Sequence, residues 1–439
     1  MCDNLILKRD TMKKTLSIIA LGLLAVPGQV CATDNAALEK QMQQLIEQNR
    51  ILQERVLRLE NMVGQGHQPH PDAGLAKKPT GPAVDSLSQR LTQVEQLLEG
   101  KKGGESAPQA EKSLGSEILE YVEFSGLVEV EATSSESYDH QETSDLTLAT
   151  VELGMEVHIT DWSHAQLVLL YEEGEESGHL VVDEGTITLG NRDKFPLGLT
   201  VGKKYLPFGS YLTSMVSDPL ALELGEIGDT VAQVGFQAAG LYGTAYVFNG
   251  HINERGEDDK IDSYGANIGL AQKFGEFSYD LGMDWLNNIA DTDGIGDYLT
   301  EVVADEAVIE YVQGFASHIL MAYGPVSFFA EYVGALASFD RTEMTFANEA
   351  ARPEAWGVEV GYNTEIMGRE TLFTLGCQGS AEALALGLPE ARYLASVRWN
   401  IVGNTSLALE YLHDEDYDNN KGGTGDNSNT ATMQLAVEF

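Results

Sequence analysis

The chain has 439 residues, 43% of them apolar, with 45 Gly and 27 Lys and Arg against 68 Asp and Glu, a formal net charge of -41. That apolar content excludes a disordered chain, and that charge excludes a nucleic-acid partner, because a phosphate polyanion is repelled. The excess is local: residues 1–119 carry 14 acidic and 14 basic residues, whereas residues 120–439 carry 54 and 13.

Residues 1–32 read as a signal peptide. Met12, Lys13 and Lys14 open a basic segment, residues 16–26 are an apolar run too short to span a bilayer, and Val30, Cys31 and Ala32 give a cleavage site before Thr33. Val30 is too large for the residue that precedes a lipidated cysteine. Cleavage leaves Cys377 as the single cysteine, so an exported chain holds together without an internal disulfide.

Residues 33–63 carry Leu38, Met42, Leu45, Asn49, Leu52, Val56, Leu59 and Val63, spaced alternately by four and three. This is the seam of a coiled coil, with Asn49 as the polar seam residue that fixes register, and it implies a homo-oligomer. Residues 64–83 are a Pro- and Gly-rich linker; its His67 and His70 have no accompanying ligand cluster, and no metal site is read there. Residues 84–119 hold a short second coil (Val84, Leu87, Leu91, Val94, Leu98) and a further linker.

From residue 120 the hydrophobic period changes to two, as in Phe277, Tyr279, Leu281, Met283 and Trp285 against Ser278, Asp280, Gly282 and Asp284. Sixteen such segments begin near residues 120, 145, 163, 179, 197, 229, 241, 262, 276, 310, 325, 353, 371, 391, 404 and 430. Their connections alternate between short ones and long ones rich in Asp, Asn and Gly. The pattern predicts an all-β fold, a 16-stranded antiparallel transmembrane β-barrel over residues 120–439, with the helical coiled coil on the periplasmic side. Phe439 ends the last strand and resembles the signal read by the outer-membrane insertion machinery. Tyr171, Trp285, Tyr332, Trp356, Tyr393, Trp399 and Tyr411 are expected at the lipid interfaces.

If the apolar set faces lipid, Glu123, Glu129, Glu131, Asp280, Asp284, Glu331, Glu359, Glu410 and Glu438 face the lumen, and a cation preference follows. Lys204 and Arg398 are inward by the same parity, as candidate ligand contacts or as partners of neighbouring carboxylates. Lys203 falls on the lipid face, so either it snorkels or a bulge breaks the register. The connection 207–228 is taken as the longest; folded inward, it would place Asp218, Glu223 and Glu226 at a constriction. No inward Ser–His pairing is evident among His158, His164, His179, His318 and His413, so no catalytic site, enzyme activity or cofactor is expected.

Residues 201–209 (VGKKYLPFG), 217–226 (SDPLALELGE) and 124–132 (FSGLVEVEA) resemble the LbtU-type siderophore porin family, associated with legiobactin uptake. The resemblance implies passage of a ferric siderophore across the outer membrane of a Gram-negative bacterium without a TonB-type plug. A general cation-selective porin for small solutes is the alternative, and an envelope tether anchored by its barrel a third. Sixteen strands are too few for the plugged receptors, which need about 22.

Overall fold

The computed structural model describes residues 121–439 apart from 174–178, 192–193, 257–259 and 304–306. The expected signal peptide, both expected coils with Asn49, and the expected linkers lie outside the described residues. Sixteen strands form one closed antiparallel barrel. They are β1 (Val122–Glu136), β2 (Glu142–Thr160), β3 (Ser163–Tyr171), β4 (Val181–Gly190), β5 (Leu197–Tyr205), β6 (Gly228–Ala238), β7 (Leu241–Phe248) and β8 (Ser263–Phe274). The second half is β9 (Phe277–Leu286), β10 (Gly314–Tyr323), β11 (Val326–Ala335), β12 (Glu354–Ile366), β13 (Arg369–Ala381), β14 (Ala391–Val402), β15 (Thr405–Glu415) and β16 (Asn427–Glu438). Each expected strand start lies within about four residues of the observed one, because alternation of apolar and polar residues marks a strand that separates two solvents.

Closure leaves no free sheet edge. β1 pairs with β16, Glu131 standing opposite Gln434. The terminal Phe439 exchanges backbone hydrogen bonds with Gly126 at 2.8 and 3.0 Å. Its ring lies over Gly126, where a Cβ would come within 2.4 Å of it, so a larger residue there would push the ring aside. The outward residues form an apolar surface that includes Val234, Ile268, Met283, Val360, Leu375 and Leu435, all exposed. Such a belt on a closed sheet is what a bilayer requires, since every backbone polar group of the wall is satisfied within it. Among the described residues no helix is long and apolar enough to cross a membrane.

One rim carries short turns, at residues 161–162, 239–240, 275–276, 324–325, 367–368 and 403–404, and the other rim carries long loops. On the short-turn rim, Lys194 pairs with Asp161 at 2.9 Å, and its ammonium holds that carboxyl below its ordinary range. The longest connection is residues 287–313, not the one after β5: β10 begins at Gly314 rather than near 310, because residues 309–313 belong to the loop. Among the described residues two α-helices lie in these connections, α1 (Leu220–Gly225) and α2 (Asp293–Val302).

The interior is only partly polar. Inward residues near the long-loop rim, Val231, Tyr246, Phe248, Leu286, Val333 and Ala355, pack against Phe208, Leu220, Leu224, Ile289, Ile295 and Leu299 of the two loops. The division into apolar outside and polar inside therefore fails on this arc of wall, where loops fill the lumen and bury the strands' inner face.

Candidate functional site

The segment 206–227, between β5 and β6, enters the barrel and lies along the inner wall. Inward carboxylates of four strands take its backbone donors in sequence. The Gly209 amide donates to Asp284 of β9 at 3.2 Å; the Ser210 and Tyr211 amides donate to the two oxygens of Glu331 on β11 at 2.6 and 2.9 Å. Thr213 Oγ1 and the Ser214 amide donate to Glu359 of β12 at 2.6 and 3.0 Å. The Val216 and Ser217 amides donate to Glu410 of β15 at 2.6 and 3.0 Å, joined by the Ser217 hydroxyl. Finally the Leu220 amide donates to Gln378 Oε1 of β13 at 3.0 Å.

Local sequence explains why the loop can do this. Gly209 (φ 88°) and Tyr211 (φ 53°) are left-handed, and such residues flanking Ser210 turn successive N–H groups to one side, forming an anion-binding nest. A side chain at Gly209 would also strike the Tyr211 ring, at 2.3 Å from its Cβ. Hydrogen bonds to a charged acceptor are worth about 1.5–3 kcal/mol each, and buried carboxylates without them would be costly. The loop and the wall thus require each other.

Arg392 of β14 completes the attachment. Its Nε meets Asp414 at 2.9 Å, and its Nη1 reaches Glu223 of α1 at 3.1 Å and the Asp218 carbonyl at 3.2 Å. Arg398, three pleat repeats further down the same strand face, donates from Nη2 to the Met215 carbonyl at 3.3 Å. Sequence reading singled out Arg398 and passed over Arg392, although 392 and 398 share parity and bases are scarce in this half. Asp218 and Glu223 stand against the wall beside Arg392, which leaves Glu226 as the acid turned to other acids. Burial, with Asp293 and Asp218 nearby, pushes the Glu226 carboxyl up to about 7.

The remaining sequence-derived residues divide accordingly. Asp284, Glu331, Glu359 and Glu410 are inward but covered, serving as anchor points for the loop rather than as lining of open water. Asp280 accepts from Tyr242 Oη at 2.7 Å, and Glu131 accepts from Gln434 at 2.9 Å. Glu123 and Glu129 share the inner face of β1 with Glu131, and Glu438 stands opposite Leu127 on that face.

Lys204 lies on the inner face of β5, on the arc away from the loop's anchors. A recess of about 350 Å³ opens there, lined by His164, Gln166, Glu184, Thr186, Thr200 and Lys204. Among the described residues Lys204 has no carboxylate partner within ion-pair distance. Lys203 stays on the lipid face, because β5 pairs with β4 and β6 without a register shift; its Nζ donates to the Val182 carbonyl at 3.1 Å, next to a bulge at Asp183 of β4.

No protein-family model matches the chain. A UPF0422 protein of Coxiella burnetii is 29% identical over 318 residues, which cover 71% of this chain and 68% of that protein. A UPF0422 protein of Legionella pneumophila strain Philadelphia 1 is 26% identical over 356 residues, covering 72% of this chain and 66% of its own length. The chain spans about two thirds of the length of these relatives. Among solved structures, OprB of Pseudomonas putida superimposes with a TM-score of 0.51 at 12% identity, over 74% of this chain and 96% of that one. OmpF of Salmonella typhi, in complex with daunomycin, gives 0.51 at 11% identity over 72% and 97%. The fold is that of outer-membrane porins. A sixteen-stranded count, a closed wall and an apolar belt all agree with it, and the loop 206–227 stands inside that wall.

Proposed function

We propose that the protein is an outer-membrane channel for polar solutes and that its preferred solute is a ferric siderophore, taken up without a TonB-type plug. The observation that carries this reading is the asymmetric lumen: one arc is occupied by the anchored loop, and the opposite arc is a hydrophilic recess around Lys204. A carboxylate-rich ferric chelate is poorly suited to a chain of net charge -41. The anchored loop eases that conflict, because four inner carboxylates already accept hydrogen bonds and Arg392 pairs with Glu223 and Asp414, offsetting one of their two charges. What faces the recess is mostly hydroxyl and amide, with Lys204 and His164 as donors and Glu184 held by Gln166 at 3.2 Å. Such a surface suits a hydroxyl- and carboxylate-bearing ligand that binds weakly enough to leave.

The test is current through the purified protein in a planar bilayer, with ferric and iron-free siderophore titrated on the long-loop side. Saturable block by the ferric form, lost in Lys204→Glu, is the expected outcome. Current indifferent to both forms and carried by cations would instead establish the general cation-selective porin. Glu123, Glu129 and Glu131 on the inner face of β1 favour that second reading, and the reversal potential measures it directly.

A further inference from the structure

At the short-turn rim, far from the anchored loop, four ligand-type side chains meet on the inner face of three adjacent strands. Glu123 of β1 stands directly opposite Glu156 of β2. His158, two residues along the same face of β2, stands directly opposite His164 of β3, across the hairpin that turns at residues 161–162. The donors converge. His158 Nε2 lies 3.5 Å from Glu156 Oε1 and 3.9 Å from Glu123 Oε1, and His164 Nε2 lies 4.0 Å from the same Glu156 oxygen. One donor atom each from Glu123, Glu156 and His158 falls within 4.8 Å of the others.

We propose that this cluster is a binding site for a divalent first-row transition metal at the periplasmic exit of the channel. The spacing supports it. Imidazole nitrogen and carboxylate oxygen hold Zn²⁺ at about 2.0–2.2 Å, so tetrahedral ligand atoms sit about 3.3–3.6 Å apart; the spacings of His158 to Glu156 and Glu123, at 3.5 and 3.9 Å, lie close to that, while His164, 4.0 Å from Glu156 but outside the mutually close group of three, would swing in as the fourth ligand. Cross-strand electrostatics point the same way. Like charges directly opposite one another destabilise a sheet, and among the described residues no lysine or arginine is paired with Glu123 or Glu156. A +2 ion would offset both carboxylates, and the neutral imidazoles would offer lone pairs that a lysine in their place could not. Two imidazoles with two carboxylates select zinc and its neighbours over Mg²⁺ and Ca²⁺, which prefer oxygen ligands throughout.

Glu156, His158 and His164 are partly exposed and Glu123 largely so, and the cluster adjoins the recess through His164, so an ion can reach it by the path a solute takes. Bound there, it would tie β1, β2 and β3 together at the exit and place positive charge where the lumen is otherwise acidic. This site stands on its own geometry and holds whichever solute the channel carries.

The experiment uses the untagged, full-length, detergent-solubilised protein stripped of metal, with Zn²⁺ partitioned against a chromophoric chelator at pH 7.5 and with millimolar Mg²⁺ present to occupy loose acidic sites. One equivalent of Zn²⁺ per barrel is expected. Affinity should fall at least tenfold in His158→Ala and in Glu156→Gln, and the equivalent should vanish in the His158→Ala, His164→Ala double variant. Retained heat-modifiable migration of each variant on gels shows that its barrel is closed. As a second readout, Zn²⁺ added to the short-turn side of a planar bilayer should reduce current in the native channel and not in the double variant. Absence of a stoichiometric Zn²⁺, or undiminished binding in the closed double variant, would overturn the proposal.

Discussion

Two arcs of the same wall, built from strands of the same alternating pattern, end in opposite roles. Along β9 to β15 the inward positions carry Asp284, Glu331, Glu359, Gln378, Arg392 and Glu410, and each is engaged by the loop over 206–227. Along β3 to β6 the inward positions carry Gln166, Thr186, Thr200 and Lys204, and they border an open recess. The difference teaches that an inward carboxylate is not by itself part of a conduction path. It becomes one only if no loop supplies the donors it needs. In this barrel the loop engages the acids on one side and leaves the recess on the other.

The sharpest way to break this contrast is to release the loop. Glu331→Gln, Glu359→Gln and Glu410→Gln together replace three charged acceptors, serving two, two and three loop donors, with neutral amides whose NH₂ end faces an N–H. At about 1–2 kcal/mol lost per weakened bond, the loop's attachment gives way while the wall stays closed. Single-channel conductance in a planar bilayer should rise severalfold and become noisy. A barrel whose conductance is unchanged would show that the loop is held by its apolar packing alone.

Arg392→Ala should come next in size, and its effect lies in stability. It strands Asp414 beside Glu223 in a buried setting, and breaking such a pair from one side costs about 3–5 kcal/mol. The transition temperature for loss of heat-modifiable migration should drop clearly. Arg392→Lys should recover only part of it, since an ammonium cannot meet Asp414 with two donors and Glu223 with a third.

The same two arcs mark how far the sequence could be read. Strand number, strand position and the inward parity of Glu123, Asp280, Glu331, Glu359 and Arg398 follow from a period of two, which is a local property of each strand. Bulges lie between Glu129 and Glu131 and between Val168 and Leu169, yet each sits where the assignments on either side could be made independently. What escaped reading is long-range. Gly209 meets Asp284, and Val216 meets Glu410, across 75 and 194 residues, through backbone amides that every residue possesses and no composition reveals. His158 and His164 escaped for a related reason: their spacing resembles nothing until the turn at 161–162 and the adjacent register shift set them face to face. Arg392 was legible in principle, by the parity that placed Arg398.

On the open arc, Lys204→Glu exchanges one base for an acid without touching an anchor. Folding stability should change little, as for other exposed charge substitutions. The reversal potential in a salt gradient should move toward stronger cation preference, and block by ferric siderophore should weaken about tenfold or more. The mirror change, Glu410→Lys, should instead damage assembly of the loop, so the two variants separate a conducting position from an anchoring one.

The smallest expected effect is a titration. Glu226 ends the anchored loop among Asp293, Asp218 and Asp183, and burial with those neighbours raises its carboxyl to about 7 from an ordinary 4.5. A raised acid binds more protons folded than unfolded between those two values, so its contribution to stability is full below about 4.5 and declines as pH rises to about 7. Conduction moves in the other sense: above 7 the site adds one negative charge near the long-loop mouth, and below it that charge is gone. Cation preference should therefore weaken modestly as pH falls from 8 to 6, and Glu226→Gln should remove the step while leaving loop anchoring intact. A step that persists in Glu226→Gln would have to come from another group of the lumen or the mouth. One that disappears would place the titrating charge on the loop, beside the open arc and not on the anchored one.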